Sequence, residues 1–140
     1  MGALNDSDYR RLLQFRTNLR RFLHWSEERA REAGVTPAHH QLMLAVRGHP
    51  DPQGPSIGEL ADYLMLRHNS AVGLVDRAEA AGLVERVPDG GHPGTVRVRL
   101  TASGSERLEA LSAAHLDELA RLAPAMSSLW DALRSVGLVG

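Results

Sequence analysis

A polar row with helical spacing runs through the stretch Asn-Ser-Ala-Val-Gly-Leu-Val-Asp-Arg at positions 69–77. Asn69, Gly73 and Arg77 are each four residues apart, so on a helix they share one face, with Ser70 alongside. An amide, a hydroxyl and a guanidinium on such a face can hydrogen-bond to the base edges or phosphates of a nucleic acid. The apolar residues of the stretch point the other way, which favours an amphipathic helix whose polar row is exposed.

These residues also have structural alternatives. Asn69 and Ser70 are among the residue types favoured at helix N-caps, where the side chain satisfies a backbone N–H. Arg77 is close in sequence to two acidic residues and can form a solvated ion pair with them instead of contacting a phosphate. Arg86 is a candidate of the same kind as Arg77.

Two short helices and the turn between them must position this row. Ser56 and Glu59 form a capping-box pattern, in which each side chain satisfies a free N–H of the first helical turn. The turn before the second helix contains Arg67 and His68, which can approach a phosphate. The second helix is predicted to begin near Asn69.

Two alternating segments after this helix predict a β-hairpin. Positions 83–87 and 95–100 alternate between apolar and polar residues, as half-buried strands do, and the glycine-rich loop at 89–94 is too long for a tight hairpin. Arg97 and Arg99 fall on one face of the second segment. There they can contact phosphates or serve as edge charges that discourage strand aggregation.

Apolar helices flank this winged region, which spans about residues 36–101. Apolar residues at helical spacing predict one helix at about 6–34 and a further helical region at about 101–137, which Pro124 interrupts. These helices carry more apolar surface than the winged region can cover, so pairing between two chains is expected. The predicted fold is therefore mostly α with a small antiparallel β-wing, a winged helix-turn-helix flanked by N- and C-terminal dimerisation helices in one domain of 140 residues.

The composition limits the chemistry of the chain. Its formal net charge is -1, so binding to DNA requires positive charge to be segregated on one face. The first 22 residues are basic and the residues from 101 onward are acidic. The absence of cysteine removes disulfides and thiol switches. Without a long apolar segment or a signal-peptide pattern, the chain is expected to be cytoplasmic and to make no membrane contact.

The residue pattern favours neither catalysis nor metal binding. The chain lacks the Gly-x-Ser-x-Gly motif, the phosphate-binding glycine loops and a ligand set for a catalytic metal. None of its seven histidines has a second histidine four residues away, the spacing that brings two imidazoles to one helix face. We therefore expect no enzyme activity, no catalytic residues, no cofactor and no metal site.

Three segments of the chain resemble the MarR family of winged helix-turn-helix bacterial transcription regulators. Val-Asp-Arg at 75–77 and Ala-Gly-Leu-Val-Glu-Arg at 81–86 are similar to that family's recognition-helix end and entry into the wing, and Leu-Thr-x-x-Gly at 100–104 is similar to its return into a long helix. The resemblance covers nearly the whole chain. It implies a homodimer, with interlocking first and last two helices, that binds double-stranded DNA at a pseudo-palindromic operator and acts as a repressor.

Two positions depart from the family pattern. Family members usually follow the wing aspartate, here Asp89, with arginines at the tip, whereas this tip is Gly-Gly-His-Pro-Gly. Only His92 can supply charge there, and an imidazole is mostly neutral at about pH 7. Gly73 stands where the family more often has a larger polar residue, which removes one potential base contact. These departures support the alternative of a winged-helix interaction or ligand-binding module with weak or lost sequence-specific DNA binding.

The resemblance also implies a small aromatic or lipophilic effector that binds between the dimer helices and the winged domain. The side chains able to supply an anion partner and an aromatic wall for it are Arg16, Arg20, His24, Trp25, His39 and His40. Interface packing and surface charge explain the same residues equally well.

Overall fold

The computed structural model describes residues 2–135 and residue 137. Its elements in chain order are α1 (Asp6–Glu32), α2 (Pro37–Gly48), α3 (Ile57–Leu64), α4 (His68–Ala80), β1 (Val84–Pro88), β2 (Val96–Leu100) and α5 (Ala102–Ser135). The predicted class, mostly α with a small antiparallel β-wing, is confirmed. No helix within the described ranges has the length and apolar character needed to cross a membrane.

The chain divides into two compact units. The helical unit consists of the residues up to Glu28 and those from Ala113 onward, and therefore contains most of α1 and α5. The winged unit is Arg29–Ser112 and contains every element from α2 to β2. The predicted helix-turn-helix and its wing therefore lie in one unit.

Side-chain caps fix where α2 and α3 begin. Thr36 Oγ1 accepts the His39 N–H at 3.1 Å, and Pro37 occupies the first helical position. Ser56 Oγ accepts the Glu59 N–H at 3.1 Å, while Glu59 Oε1 accepts the Ser56 N–H at 3.0 Å. The predicted capping box is therefore present.

The start of α4 differs from the prediction. Its N-cap is Arg67, whose side chain makes no capping hydrogen bond, and His68 is the first helical residue. Asn69 and Ser70 therefore lie inside the first turn, so the suggestion that they serve as N-caps is wrong. The cause is the turn before them, where Met65 adopts a left-handed φ of 55° and ends α3 abruptly.

The core of the winged unit is aliphatic and is shared by all its elements. Ala71, Leu74, Val75 and Ala78 form the buried face of α4, and the last three belong to the main core cluster. The other members of that cluster are Val35, Leu42, Met43, Val46, Leu60, Leu83, Val84, Val98 and Leu108. This packing fixes the rotation of α4 and so leaves its polar row facing solvent.

Hydrogen bonds hold the wing at its base and along one side. β1 and β2 pair antiparallel in a register that runs from Val84 opposite Leu100 to Pro88 opposite Val96. At the base, the Thr101 hydroxyl donates to the Gly82 carbonyl at 2.6 Å. The same hydroxyl accepts the N–H of Gly104, the last residue of the Leu-Thr-x-x-Gly motif, at 3.0 Å and so caps α5.

Two glycines allow the backbone to approach the wing closely. A Cβ on Gly104 would overlap the carbonyl oxygen of Leu83, so the motif glycine is required by packing at the base of the wing. A Cβ on Gly54 would overlap the carbonyl oxygen of Val98, and its φ is +93°. Beside it, the Val98 N–H donates to the Pro55 carbonyl at 2.9 Å, which joins β2 to the loop between α2 and α3.

α5 passes through Pro124 without a break, so the predicted interruption there is wrong. Proline removes one helical hydrogen bond, but the helix beyond it packs within the helical unit. Leu129 is buried, and the Trp130 ring lies 6.0 Å from that of Phe15 on α1. Packing of this apolar face outweighs the missing hydrogen bond.

The helical unit leaves much of its apolar surface exposed. Its inner contacts include the Trp25 ring, 4.8 Å from that of His115, and the Ser26 hydroxyl, 2.7 Å from His115 Nε2. The large apolar side chains that remain exposed in this unit are Leu4, Tyr9, Leu12, Leu13, Phe15, Leu19, Leu23, Leu116, Leu119 and Trp130. This amount of exposed hydrocarbon is typical of a surface that another molecule covers.

Candidate nucleic-acid interface

The first turn of α4 presents four consecutive polar residues to solvent. Arg67, His68, Asn69 and Ser70 are all exposed. Within the described part of the chain, the Asn69 amide and the Ser70 hydroxyl form no intramolecular hydrogen bond, and no side chain caps the N-terminus of the helix. These groups are therefore available to an external acceptor, and the uncapped N–H groups add a favourable site for a phosphate.

Arg86 has a different place from the one predicted. Its guanidinium lies 2.6 Å from Asp76 Oδ1 and 2.7 Å from Glu79 Oε1, and its backbone N–H also donates to Glu79 at 3.1 Å. Burial disfavours the charged form of Arg86, but the hydrogen bonds to both carboxylates outweigh it and raise the pKa. The acidic pair that the sequence suggested for Arg77 is therefore held by Arg86, which ties α4 to β1.

The guanidinium of Arg77 lies over Gly73, which is one turn earlier on the same helix. Its Nη1 is 3.2 Å from the position that a Cβ on residue 73 would occupy. The nearby His39 is half-buried, and its pKa is lowered first by burial and then by the positive charge of Arg77. The predicted polar row of Asn69, Gly73 and Arg77 is therefore present, with the guanidinium lying above its middle.

Arg97 is held inside the protein instead of pointing to solvent. Its Nε donates to Asp89 Oδ2 at 3.2 Å, and its Nη1 donates to the Gly54 carbonyl at 2.8 Å. Asp51 and Glu59 lie within 3.4 Å and 4.0 Å of the same nitrogen, and only 18% of the Arg97 side chain is exposed. In this arrangement Arg97 clamps the wing to the loop between α2 and α3.

Asp89 is the acidic partner at the start of the wing tip. Its side chain is only 4% exposed, and its Oδ1 accepts the Gly91 N–H at 2.9 Å. This hydrogen bond, followed by the Arg97 guanidinium, holds the pKa of Asp89 below its ordinary value, although burial opposes the ionised form. The aspartate therefore shapes the tip and neutralises Arg97.

The rest of the wing carries little free charge. Arg99 is exposed and, among the described residues, has no ion-pair partner, so it is the strand arginine still available to a phosphate. His92 is exposed at the tip, and a Cβ on Gly90 would meet nothing within 4 Å. The tip is therefore open, well separated from packed neighbours, and without an arginine.

The six candidate ligand residues fall into separate groups. Arg16, Arg20 and His24 line an open groove of about 900 Å³ along α1, whose other walls are mostly leucine. Trp25 belongs to the aromatic packing around His115 described above. His39 and His40 are on α2 in the winged unit, where His40 is buried. Only the first three share one surface, and among the described residues no three potential metal ligands form a cluster.

Sequence reasoning missed the residues that neutralise Arg97. Asp51 and Glu59 come from the α2–α3 region, about forty residues before the wing, and neither has a sequence pattern that links it to an arginine. Glu59 Oε2 also lies 3.3 Å from His49 Nε2, while His49 Nδ1 lies 2.8 Å from the Tyr63 hydroxyl. For these residues the sequence indicated only that Glu59 caps α3, a role in which its Oε1 accepts the Ser56 N–H.

Comparison with known proteins supports the fold and the family. A family model described as MarR family matches residues 33–92, the stretch from the end of α1 to the wing tip. The transcriptional activatory protein BadR of Rhodopseudomonas palustris is 35% identical over 91 residues, which are 64% of this chain and 52% of that protein. The chain thus spans about half the length of this curated relative.

Solved structures share the architecture over nearly the whole chain. A MarR family protein from Bacillus stearothermophilus has a TM-score of 0.74 and 23% identity, with 96% of each chain covered. A mutant of Staphylococcus aureus MepR bound to an oligodeoxyribonucleotide has a TM-score of 0.66 and 16% identity, with 96% of this chain and 99% of that one covered. At these identities the structures establish the fold, and the family model adds the sequence match. The chain is therefore similar in sequence to the MarR family over residues 33–92 and shares the fold of that family's solved structures.

Proposed function

We propose that this protein is a DNA-binding transcription regulator that binds a pseudo-palindromic operator as a homodimer. The observation that carries the proposal is the first turn of α4, where Arg67, His68, Asn69 and Ser70 are exposed and the Asn69 amide and Ser70 hydroxyl have no hydrogen-bond partner among the described residues. A rigid helix that presents such groups is suited to base and phosphate contacts in a major groove. The relative bound to an oligodeoxyribonucleotide has the same fold.

The charge pattern of α4 supports DNA binding despite the net charge of -1. Asp76 and Glu79 would repel phosphates if they were free, but Arg86 neutralises both. Arg77 and Arg67 then remain as positive charges on the exposed side of the helix. The face that meets DNA in this proposal is therefore more positive than the composition of the whole chain indicates.

The exposed hydrocarbon of the helical unit supports the homodimer. Leu13 on α1 and Leu116 on α5 are each 67% exposed, although both are leucines on long helices. A second copy of the chain is the partner that would cover this surface in both protomers at once. Two winged units in one dimer would match two operator half-sites.

Release of DNA by a small effector is part of the same proposal. Arg16, Arg20 and His24 along the groove of α1 would supply the anion partner for an aromatic or lipophilic acid. A ligand that binds one dimer arrangement better than another shifts the spacing of the two winged units and so changes DNA affinity. We propose repression by occupation of the promoter, a direction opposite to the one named for the activatory relative.

The test of DNA binding is a gel shift on the DNA upstream of the protein's own gene. We expect salt-dependent binding that is tighter than binding to a random duplex. The double variant Asn69→Ala with Arg77→Ala should lose most of this preference because it removes both polar ends of the row. Unchanged binding by the double variant would place the interface elsewhere, and no preference in the wild type would refute the function.

The dimer is tested separately by light scattering after size-exclusion chromatography. Leu13→Glu with Leu116→Glu adds charge to the exposed apolar surface and should give a monomer. Leu44→Glu is the matched control, because Leu44 is an exposed leucine of the winged unit, with 54% of its surface exposed. A double variant that stays dimeric would contradict this surface as the interface.

The second candidate, an interaction module with weak DNA binding, is favoured by one observation. Two of the predicted DNA-contacting arginines, Arg86 and Arg97, are both engaged by internal carboxylates. A protein that dimerises, shows equal affinity for all duplexes and binds an organic acid would fit this second candidate instead.

A further inference from the structure

We propose that Arg77 contacts a guanine in the major groove, and that Gly73 determines this specificity by leaving space for the guanidinium over the middle of α4. The inference rests on the proposed function and adds to it a base and a specificity-determining position. From sequence alone, Gly73 is predicted only to remove a potential base contact. In the present proposal Gly73 instead makes a base contact by Arg77 possible.

The helix geometry brings the two residues together. Side chains on an α-helix lean toward its N-terminus, so a long side chain covers the surface of the residue four positions earlier. Arg77 Nη1 lies 3.2 Å from the Cβ position of residue 73, which is closer than an ordinary carbon contact. A Cβ at position 73 would require the guanidinium to shift by a few tenths of an ångström, and a larger side chain would displace it from the middle of the helix.

The neighbouring charges leave this guanidinium available. Asp76 and Glu79 are the carboxylates nearest in sequence, and both are bound by Arg86 at 2.6 Å and 2.7 Å. In the described structure Arg77 forms no salt bridge and donates no hydrogen bond within the chain. The donors of its guanidinium are thus available to an external partner. The guanidinium of Arg97, in contrast, donates to acceptors within the protein.

The position over Gly73 favours a base over a phosphate. Asn69 is one turn earlier on the same exposed face, so the guanidinium lies within the row that would face the groove floor, and not at an end of the helix. The lack of a side chain at Gly73 also lets the helix approach the bases more closely. The acceptor pair that fits a guanidinium in the major groove is N7 and O6 of guanine.

The experiment is a selection of bound duplexes from a library with a randomised central region, at one fixed salt concentration. We expect the wild type to enrich a symmetric site with a guanine at one position of each half-site. Arg77→Lys keeps the charge but loses the two-pronged donor geometry. It should reduce the guanine preference by about 5- to 100-fold at that position alone, with little change in salt dependence.

Variants of Gly73 test the second half of the proposal. Gly73→Leu should reduce the preference at the same base pair as Arg77→Lys, and Gly73→Ala should reduce it less, because the guanidinium then needs to move only slightly. Arg47→Lys is the matched control, an exposed arginine on α2 outside the polar row, and should leave every base preference unchanged. Circular dichroism checks that each variant is folded.

The outcomes separate this inference from the proposed function. If the wild type selects a site and Arg77→Lys keeps all base preferences, Arg77 contacts phosphate and the inference is wrong. If Arg77→Lys loses the preference but Gly73→Leu does not, the role of Gly73 is wrong. A wild type that selects no sequence contradicts the proposed function itself, and the guanine contact with it.

Discussion

The α4 face and the wing look alike in sequence but use their arginines differently. In each, the residue pattern predicts an exposed face that carries arginine, Arg77 on α4 and Arg97 with Arg99 on the wing. On α4, no carboxylate of the described residues pairs with Arg77, because Arg86 from β1 binds the acidic pair of the helix, Asp76 and Glu79. On the wing, Arg97 is bound by Asp89 at the wing tip and by Asp51 from the α2–α3 loop, while Arg99 two residues later has no ion-pair partner among the described residues. Whether an arginine is available to contact DNA therefore depends on which carboxylates the fold places beside it.

The strongest test of the wing's attachment is Gly54→Ala. The added methyl group would overlap the Val98 carbonyl, and the φ of +93° strains any residue other than glycine. We expect a loss of roughly 3 kcal/mol in the free energy of unfolding, measured by urea denaturation. Gly90→Ala is the control, since its methyl group meets nothing, and should change stability by less than about 0.5 kcal/mol. Equal effects would mean that the wing is not held by this loop.

The contrast between the two strand arginines is tested by Arg97→Ala and Arg99→Ala. Loss of Arg97 leaves the buried Asp89 and the Gly54 carbonyl without their donor, and should lower the melting temperature by roughly 5 to 10 °C. Loss of the exposed Arg99 should change it by about 1 °C but weaken DNA binding. The reverse ranking in thermal unfolding would refute the clamp.

Variants of Arg86 test whether this residue supports DNA binding by neutralising Asp76 and Glu79 or by contacting DNA directly. Arg86→Gln should weaken DNA binding by roughly tenfold at low salt, because Asp76 and Glu79 then repel the phosphates. The triple variant Asp76→Asn, Glu79→Gln and Arg86→Gln should restore most of the affinity, since it removes the repulsion together with its neutraliser. Fluorescence anisotropy on one labelled operator measures both. A triple variant as weak as Arg86→Gln would show that Arg86 itself touches DNA.

The smallest expected effect is on acid stability. The pKa of Asp89 is lower in the folded protein than in the unfolded chain, so its contribution to stability is complete above the ordinary value of 3.8. That contribution is lost as the pH falls through the lower, folded value. Asp89→Asn should therefore flatten the decline in melting temperature below about pH 4. A parallel decline in both proteins would mean that Asp89 is not held by Gly91 and Arg97.

Local sequence signals predicted the fold well. The cap at Ser56, the polar row of α4 and the Leu-Thr-x-x-Gly motif each depend on residues a few positions apart, and each was found where predicted. Pro124 shows the limit of such signals, because packing of the surrounding helix outweighed a local preference.

The candidate site was harder to predict because its charges are set by distant contacts. The alternation of β2 correctly placed Arg97 and Val98 on opposite faces of the strand. It could not show that Asp51, 46 residues earlier in the chain, would contact Arg97. Similarly, nothing local decides whether Asp76 pairs with Arg77 or with Arg86. Both choices depend on how β1 and the α2–α3 loop pack on their neighbours.

The open wing tip makes DNA affinity adjustable without redesign of the fold. The Asp89 N–H donates to the Thr95 carbonyl at 2.9 Å and closes the loop, so the five residues between them carry none of the packing that holds the wing. Gly90 in particular has empty space where a side chain would begin. An arginine introduced there would extend into solvent from a fixed base and supply the positive charge that this tip lacks. A single substitution at Gly90 would thus change the dissociation rate of the protein from DNA without altering the packing of the wing.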